Sequence, residues 1–248
     1  MRTAEKELIL DLEEQLRDIK LPLMALKLDE LYRKPDFGKL DSLRLLSELI
    51  TPEYRDKMSK TLNNRLRKAC LIGSPCELES CKDSTTRRYE PAGITRTLSN
   101  LNFIEDGMNL CILGASDTGK TYLAKAIGSA ACMHYRVSYN RCSTLLESLV
   151  ALKSQDYKAY AKKVRTLNNS HLLILDDFLL NTVTDEREIK VLMELLETRM
   201  NLSRSTIVCS QRDPESWKAM IMNDEVSANA ILKRVTKHYI VMIHLIEK

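Results

Sequence analysis

Eight consecutive residues, Gly114, Ala115, Ser116, Asp117, Thr118, Gly119, Lys120 and Thr121, keep the spacing G-x-x-x-x-G-K-[ST] of a phosphate-binding loop. In such a loop backbone N–H groups converge on an anion, and the N-terminus of the next helix adds partial positive charge. Lys120 is the cation for the β- and γ-phosphates, and the Thr121 hydroxyl is a ligand for Mg²⁺. Tyr122 completes the expected contact set. The apolar run 109–113 leads in as a short buried strand, and 122–127 continues as a helix. The motif therefore has the strand–loop–helix context it requires.

A second group of residues fits the first. The run His171-Leu-Leu-Ile-Leu-Asp176-Asp177 is apolar and ends in two carboxylates. It reads as a central parallel strand, whose C-terminal end is where α/β folds place ligands. Asp176 is then positioned to hold Mg²⁺ and Asp177 to polarise an attacking water. Two adjacent carboxylates repel unless their roles differ or a cation lies between them. A strand followed by a solvated acidic turn has the same pattern taken alone. Its placement about fifty residues after the loop favours the chemical reading.

The elements that must position these groups follow from periodicity. Residues 1–75 read as a helical domain, with stripes over 5–19, 24–32 and 41–50 and a separate basic helix starting at Thr51-Pro52-Glu53. Residues 76–92 are polar and turn-rich and read as a linker with little to build a core. Residues 93–248 alternate strand and helix. Strands are expected at 109–113, 136–139, 171–176, 205–210 and 239–245, which makes a parallel five-stranded sheet between helices.

At 248 residues, with 44% apolar and 29% charged residues, the chain has room for one α/β domain and a smaller appendage. Its net charge of +4 excludes a polycation, but Lys57, Lys60, Arg65, Arg67 and Lys68 are locally dense. They are the candidates for DNA-backbone contact, with Arg87 and Arg88 added from the linker. A solvated or docked helix face has the same pattern. No stretch is long enough to span a bilayer and no signal peptide is visible, so a cytoplasmic protein is expected. Seven cysteines at irregular spacing argue against a disulfide framework. Cys70, Cys76 and Cys81 lack a fourth ligand for zinc, and the four histidines share no metal spacing.

The chain resembles the IstB family of insertion-sequence ATP-binding proteins and, more distantly, the DnaC helicase loaders and DnaA initiators. The resemblance rests on Leu21-Pro-Leu-Met-Ala25, Asn64–Ala69, Gly114–Thr121, Leu172–Phe178, Ser205–Gln211 and Asn229–Val235. It implies an AAA+ P-loop ATPase that binds ATP and Mg²⁺ and assembles as an ATP-dependent homo-oligomer on duplex DNA to assist a transposase. A replicative helicase loader and an ATP-binding adaptor with little turnover are the alternatives. By the same resemblance Gln211, with Ser210, falls where AAA+ proteins carry a polar sensor. Arg234 falls where relatives carry an arginine acting on a neighbour's nucleotide. A guanidinium supplied in trans neutralises charge on the transferring phosphoryl group.

The chain departs from this family at three points. Asp117 and Leu179 stand where relatives commonly carry glycine, and no C-terminal arginine for a second sensor follows the last strand. A carboxylate beside phosphates is repulsive, and a side chain restricts the loop backbone. Weakened nucleotide binding and slow hydrolysis are the expectation.

Overall fold

A computed structural model describes residues 2–73, 76–221 and 225–246. Ser74 and Pro75, at the expected domain boundary, and the terminal Met1 and Lys248 lie outside the described residues. The chain divides into two compact units, 1–64 and 65–248.

The first unit holds α1 (Arg2–Asp18), α2 (Pro22–Tyr32) and most of α3 (Ser42–Lys68). Pro22 opens α2 at a position where its missing N–H costs nothing. Where a new helix is expected at Thr51, α3 instead runs on through Pro52. An interior proline costs about 3 kcal/mol, so contacts beyond the helix must hold it. One is visible beside the proline: buried Glu53 accepts hydrogen bonds from Leu23 N at 2.9 Å and Met24 N at 3.3 Å, satisfying the free N–H groups of the α2 N-terminus.

The second unit is built on six strands: β1 (Arg87–Glu90), β2 (Leu110–Leu113), β3 (Val137–Arg141), β4 (Leu172–Asp176), β5 (Ser205–Ser210) and β6 (Tyr239–Leu245). Their order is β1-β6-β2-β5-β4-β3. All five expected strands are present and mutually parallel, and β1 adds a sixth, antiparallel to β6. This corrects the reading of 76–92 as a coreless linker, because Leu78, Cys81 and Tyr89 are buried. A four-residue edge strand with one inward apolar side chain leaves almost no period to read.

Between the strands run α4 (Ile94–Ser99), α5 (Asn102–Glu105), α6 (Lys120–Ala131), α7 (Cys142–Gln155), α8 (Tyr157–Asn169), α9 (Glu186–Asn201), α10 (Trp217–Met220) and α11 (Glu225–Val235). β2, β4 and β5 are buried at every residue, as central strands covered on both faces must be. Cys111, Leu113, Leu173, Leu175 and Val208 pack with Leu146, Leu149, Leu192, Leu195 and Ile231 of α7, α9 and α11. The alternate residue Ile174 lies against α6 on the other face. Trp217, expected as a packing residue, is buried edge-on against Phe178 at 5.1 Å. All seven cysteines are free, and buried Cys111 and Cys209 serve as small apolar residues. Among the described residues no helix is long and apolar enough to cross a membrane.

Candidate nucleotide site

β2 delivers the chain to the C-terminal edge of the sheet, and the loop 114–119 turns it into α6. Gly114 has φ +153°, and a Cβ there would lie 2.5 Å from the Ile243 carbonyl oxygen. Gly119 has φ +97°. Only glycine meets both demands cheaply. Asp117 sits at φ +60°, in the left-handed region that favours glycine. Leu179 is likewise left-handed at φ +49°. Both departures noted in the sequence thus carry backbone strain, and aspartate tolerates it better than leucine.

Inside the loop, buried Thr118 donates to the Ala115 carbonyl at 3.0 Å, and the Lys120 ammonium donates to the same carbonyl. Burial lowers the Lys120 pKa from the usual lysine range, opposed by neighbours that include Asp176, Asp177 and Asp117. Thr121, one residue on, points across to β4. Its hydroxyl donates to Asp176 Oδ1 at 3.1 Å, and the Asp177 N–H donates to the same oxygen at 3.1 Å. The loop hydroxyl and the strand-end carboxylate, separated by more than fifty residues, therefore meet directly. A hydroxyl and one carboxylate are the oxygen donors that Mg²⁺ takes from a protein when water and phosphate fill the remaining positions. The residues present fit that ion.

The second Asp176 oxygen has a partner that sequence reasoning missed. Tyr139 on β3 donates its hydroxyl to Oδ2 at 2.6 Å. The β3–β4 register pairs Tyr139 with Ile174, two residues before Asp176, so both side chains share one face. Burial, then the bond to Asp176, pushes the phenol well above its ordinary range. Lys125 of α6 lies 5.0 Å over the same ring.

A cavity of about 430 Å³ opens beside these groups, lined by Ser116, Asp117, Lys120, Thr121, Asp177 and Gln211 among others. Asp177 is one-third exposed, with Oδ2 3.6 Å from Arg141 Nε. Gln211 leaves the end of β5 into this cavity. Ser210, its expected companion, is not free: its hydroxyl donates to the Phe178 carbonyl at 2.9 Å and accepts from Trp217 Nε1 at 3.3 Å. Ser210 is buried and positions the neighbouring chain rather than facing a ligand. Tyr122 also lines the cavity, while its hydroxyl meets Ser80 Oγ at 2.8 Å and accepts from Glu77 N at 3.3 Å.

Other expected residues lie elsewhere. Arg234 on α11 donates to Ala230 O at 2.8 Å and faces Glu197 of α9 at 3.5 Å, with its Nε buried and unpartnered. Of the expected DNA contacts, exposed Lys57 lies 3.9 Å from Glu53 and exposed Lys60 lies 2.7 Å from Asp56. Arg65 donates to the Cys132 and Met133 carbonyls at 3.2 and 2.7 Å, where α6 ends. That is a structural use of a cation at a helix C-terminus. Arg67 and Lys68 are exposed at the end of α3. Arg87, expected as a further DNA contact, instead packs against the phosphate loop. Its guanidinium carbon is 3.0 Å from where a Gly119 Cβ would stand. No group of three metal-ligating side chains occurs among the described residues.

The family model for the IstB-like ATP binding protein matches residues 14–245. An insertion-sequence ATP-binding protein of Sinorhizobium fredii is 33% identical over 223 residues, covering 90% of this chain and 88% of the relative. An ATP-binding protein in an insertion sequence of Mycobacterium tuberculosis is 28% identical over 234 residues, covering 93% and 91%. Among solved structures, the DnaC helicase loader superposes with TM-score 0.53 at 18% identity, covering 69% of this chain and 98% of that one. The replication initiator DnaA, bound to AMPPCP and single-stranded DNA, gives TM-score 0.56 at 20% identity, covering 71% of this chain. This chain spans about half the length of DnaA, at 51%. At these identities the structural likeness speaks to the AAA+ fold.

Proposed function

Because the chain belongs to the IstB-like family of insertion-sequence ATP-binding proteins, we propose that it is an ATPase that assembles on duplex DNA and assists a transposase. The observation that carries the reading is the meeting of Thr121 and Asp176 at 3.1 Å, beside a cavity lined by Lys120, Asp177 and Gln211. The loop N–H groups and Lys120 hold the phosphates. Thr121 and Asp176 would hold Mg²⁺, which supplies charge neutralisation at the phosphoryl group. Asp177 orients the attacking water, and Gln211 hydrogen-bonds to the water or the terminal phosphate. Arg234 acts on the nucleotide of a neighbouring subunit. That role requires its guanidinium to leave Glu197, a half-exposed partner at 3.5 Å that binds it weakly. Exposed Lys57, Lys60, Arg67 and Lys68 contact DNA phosphates, so binding weakens as salt rises.

The test is ATP turnover with and without duplex DNA for the wild type, Lys120→Ala and Arg234→Ala. We expect DNA-stimulated turnover in the wild type and a loss of 10²-fold or more in each variant. Mixing the two inactive variants restores part of the rate if Arg234 acts in trans. A mixture as inactive as its parts overturns the trans role. ATP binding without turnover, with or without DNA, would favour an adaptor, a reading that the Asp117 carboxylate in the loop supports.

A further inference from the structure

Arg87 opens β1, the strand that the chain's polar pattern conceals. Its backbone is fixed: Arg87 N donates to Ser84 Oγ at 3.1 Å, its carbonyl accepts from Ser84 N at 2.8 Å, and it pairs with Leu245 of β6. From there the side chain reaches Gly119. A Cβ on that glycine would lie 3.0 Å from Arg87 Cζ and 3.2 Å from both Nη1 and Nη2. The guanidinium therefore rests against the last residue of the phosphate loop, where α6 begins.

This is an unfavourable place for an unpaired cation. Lys120 and the N-terminus of α6 add positive charge there, offset in part by the Asp117, Asp176 and Asp177 carboxylates around Lys120. The Arg87 side chain hydrogen-bonds the Tyr89 hydroxyl and lies near the Cys81 thiol, its Nε is buried without a hydrogen-bond partner, and no carboxylate among the described residues pairs with it. A half-buried guanidinium without a carboxylate partner is stabilised when an anion meets it. We propose that Arg87 is a nucleotide-binding residue that contacts the phosphates shared by nucleoside di- and triphosphates. The inference rests on the reading of 114–121 as the nucleotide loop.

Sheet order decides which phosphates. β1 and β6 lie on one side of β2, while β5 and β4, at whose C-terminal ends stand Gln211, Asp176 and Asp177, lie on the other. Arg87 thus approaches from the side away from the groups assigned to the γ-phosphate. Its contribution is the same for ATP and ADP.

Calorimetric titration of the full chain with ATP and with ADP tests this. Arg87→Met keeps the apolar stem of the side chain and removes the charge, and Arg87→Lys keeps the charge without the fork. Arg88→Met, at the exposed neighbouring position, is the control. We expect Arg87→Met to weaken ATP and ADP alike by about tenfold, the size of a lost charge-assisted hydrogen bond. Arg87→Lys should lose less and Arg88→Met nothing. KM for ATP rises while turnover at saturation holds. The nucleotide-free unfolding midpoint should be unchanged, which separates lost binding from lost structure. Unchanged affinities in Arg87→Met overturn the proposal, as does a loss confined to ATP. If Lys120→Ala binds ATP as the wild type does, the loop reading itself falls. If only Arg87→Met is silent, the loop reading stands and this inference fails alone.

Discussion

Asp117 and Lys120 bear on the proposed nucleotide binding from opposite directions. Asp117 puts a carboxylate into the loop and holds φ +60°, a conformation that costs an L-residue roughly 1 kcal/mol and glycine almost nothing. Asp117→Gly should therefore tighten ATP binding by about tenfold and raise the unfolding midpoint slightly, measured by titration and thermal melting. An unchanged affinity would show that the carboxylate points harmlessly to solvent. The glycine positions and Lys120 were legible because one contiguous stretch contains the whole motif. The left-handed φ of Asp117 and Leu179 was foreseeable only as a departure from relatives. Arg87 reads as an added DNA contact because a basic pair in a polar stretch carries no record of what it folds against. Ser210 reads like Gln211 because neighbours at a strand end look equivalent until one turns inward and the other out.

Secondary-structure elements decide which of these groups meet. The strand β4 was readable from four apolar residues ending in aspartate. The identity of its neighbour was not. Pairing β3 in parallel with β4, at the register that sets Tyr139 opposite Ile174, brings the Tyr139 hydroxyl to Asp176. One side of the proposed metal-binding carboxylate is thereby fixed by a neutral donor. We expect Tyr139→Phe to raise the Mg²⁺ concentration needed for half-maximal ATP turnover by about tenfold, with Mg²⁺-free nucleotide binding unchanged. Equal effects with and without Mg²⁺ would mark Tyr139 as a packing residue only. α3 teaches the converse lesson. Pro52 is a sound local signal for a helix start, yet the helix continues through it beside Glu53, whose carboxylate is engaged by α2.

The whole second unit carries polar groups whose burial makes its stability depend on conditions. Arg199 is fully buried, with its guanidinium donating to Leu167 O, Ser170 O, Ser205 O and Thr206 Oγ1. It ties the end of α8 and the start of β5 to α9 without a carboxylate partner among those bonds. Burial first, then the charge of Arg204, lowers its pKa to about 9. Two histidines act similarly at a lower pH. His238 Nδ1 accepts from Asn109 N at 3.0 Å, and His171 Nδ1 accepts from Arg136 N at 3.2 Å. Burial, and then nearby cations, hold both imidazoles below the usual histidine range. The unfolded chain thus takes up these protons at a higher pH than the folded one. The stability contributed by the two neutral histidines is whole above about pH 6.5 and falls as the pH drops from there toward the folded-state values. Unfolding midpoints measured between pH 7.5 and 5 should decline, and less steeply in His238→Asn, which keeps an acceptor that does not titrate. Equal slopes would exclude His238 as a cause. What the chain's order alone determined is the loop, the strand ending in two acids, five of six strands and the family, because these are signals written in neighbouring residues and simple periods. The tertiary structure alone decided that Arg87 lies on the loop, that Tyr139 holds Asp176 and that Arg65 serves α6. Each of those depends on residues far apart in sequence, whose meeting is set by strand order and register and leaves no local trace.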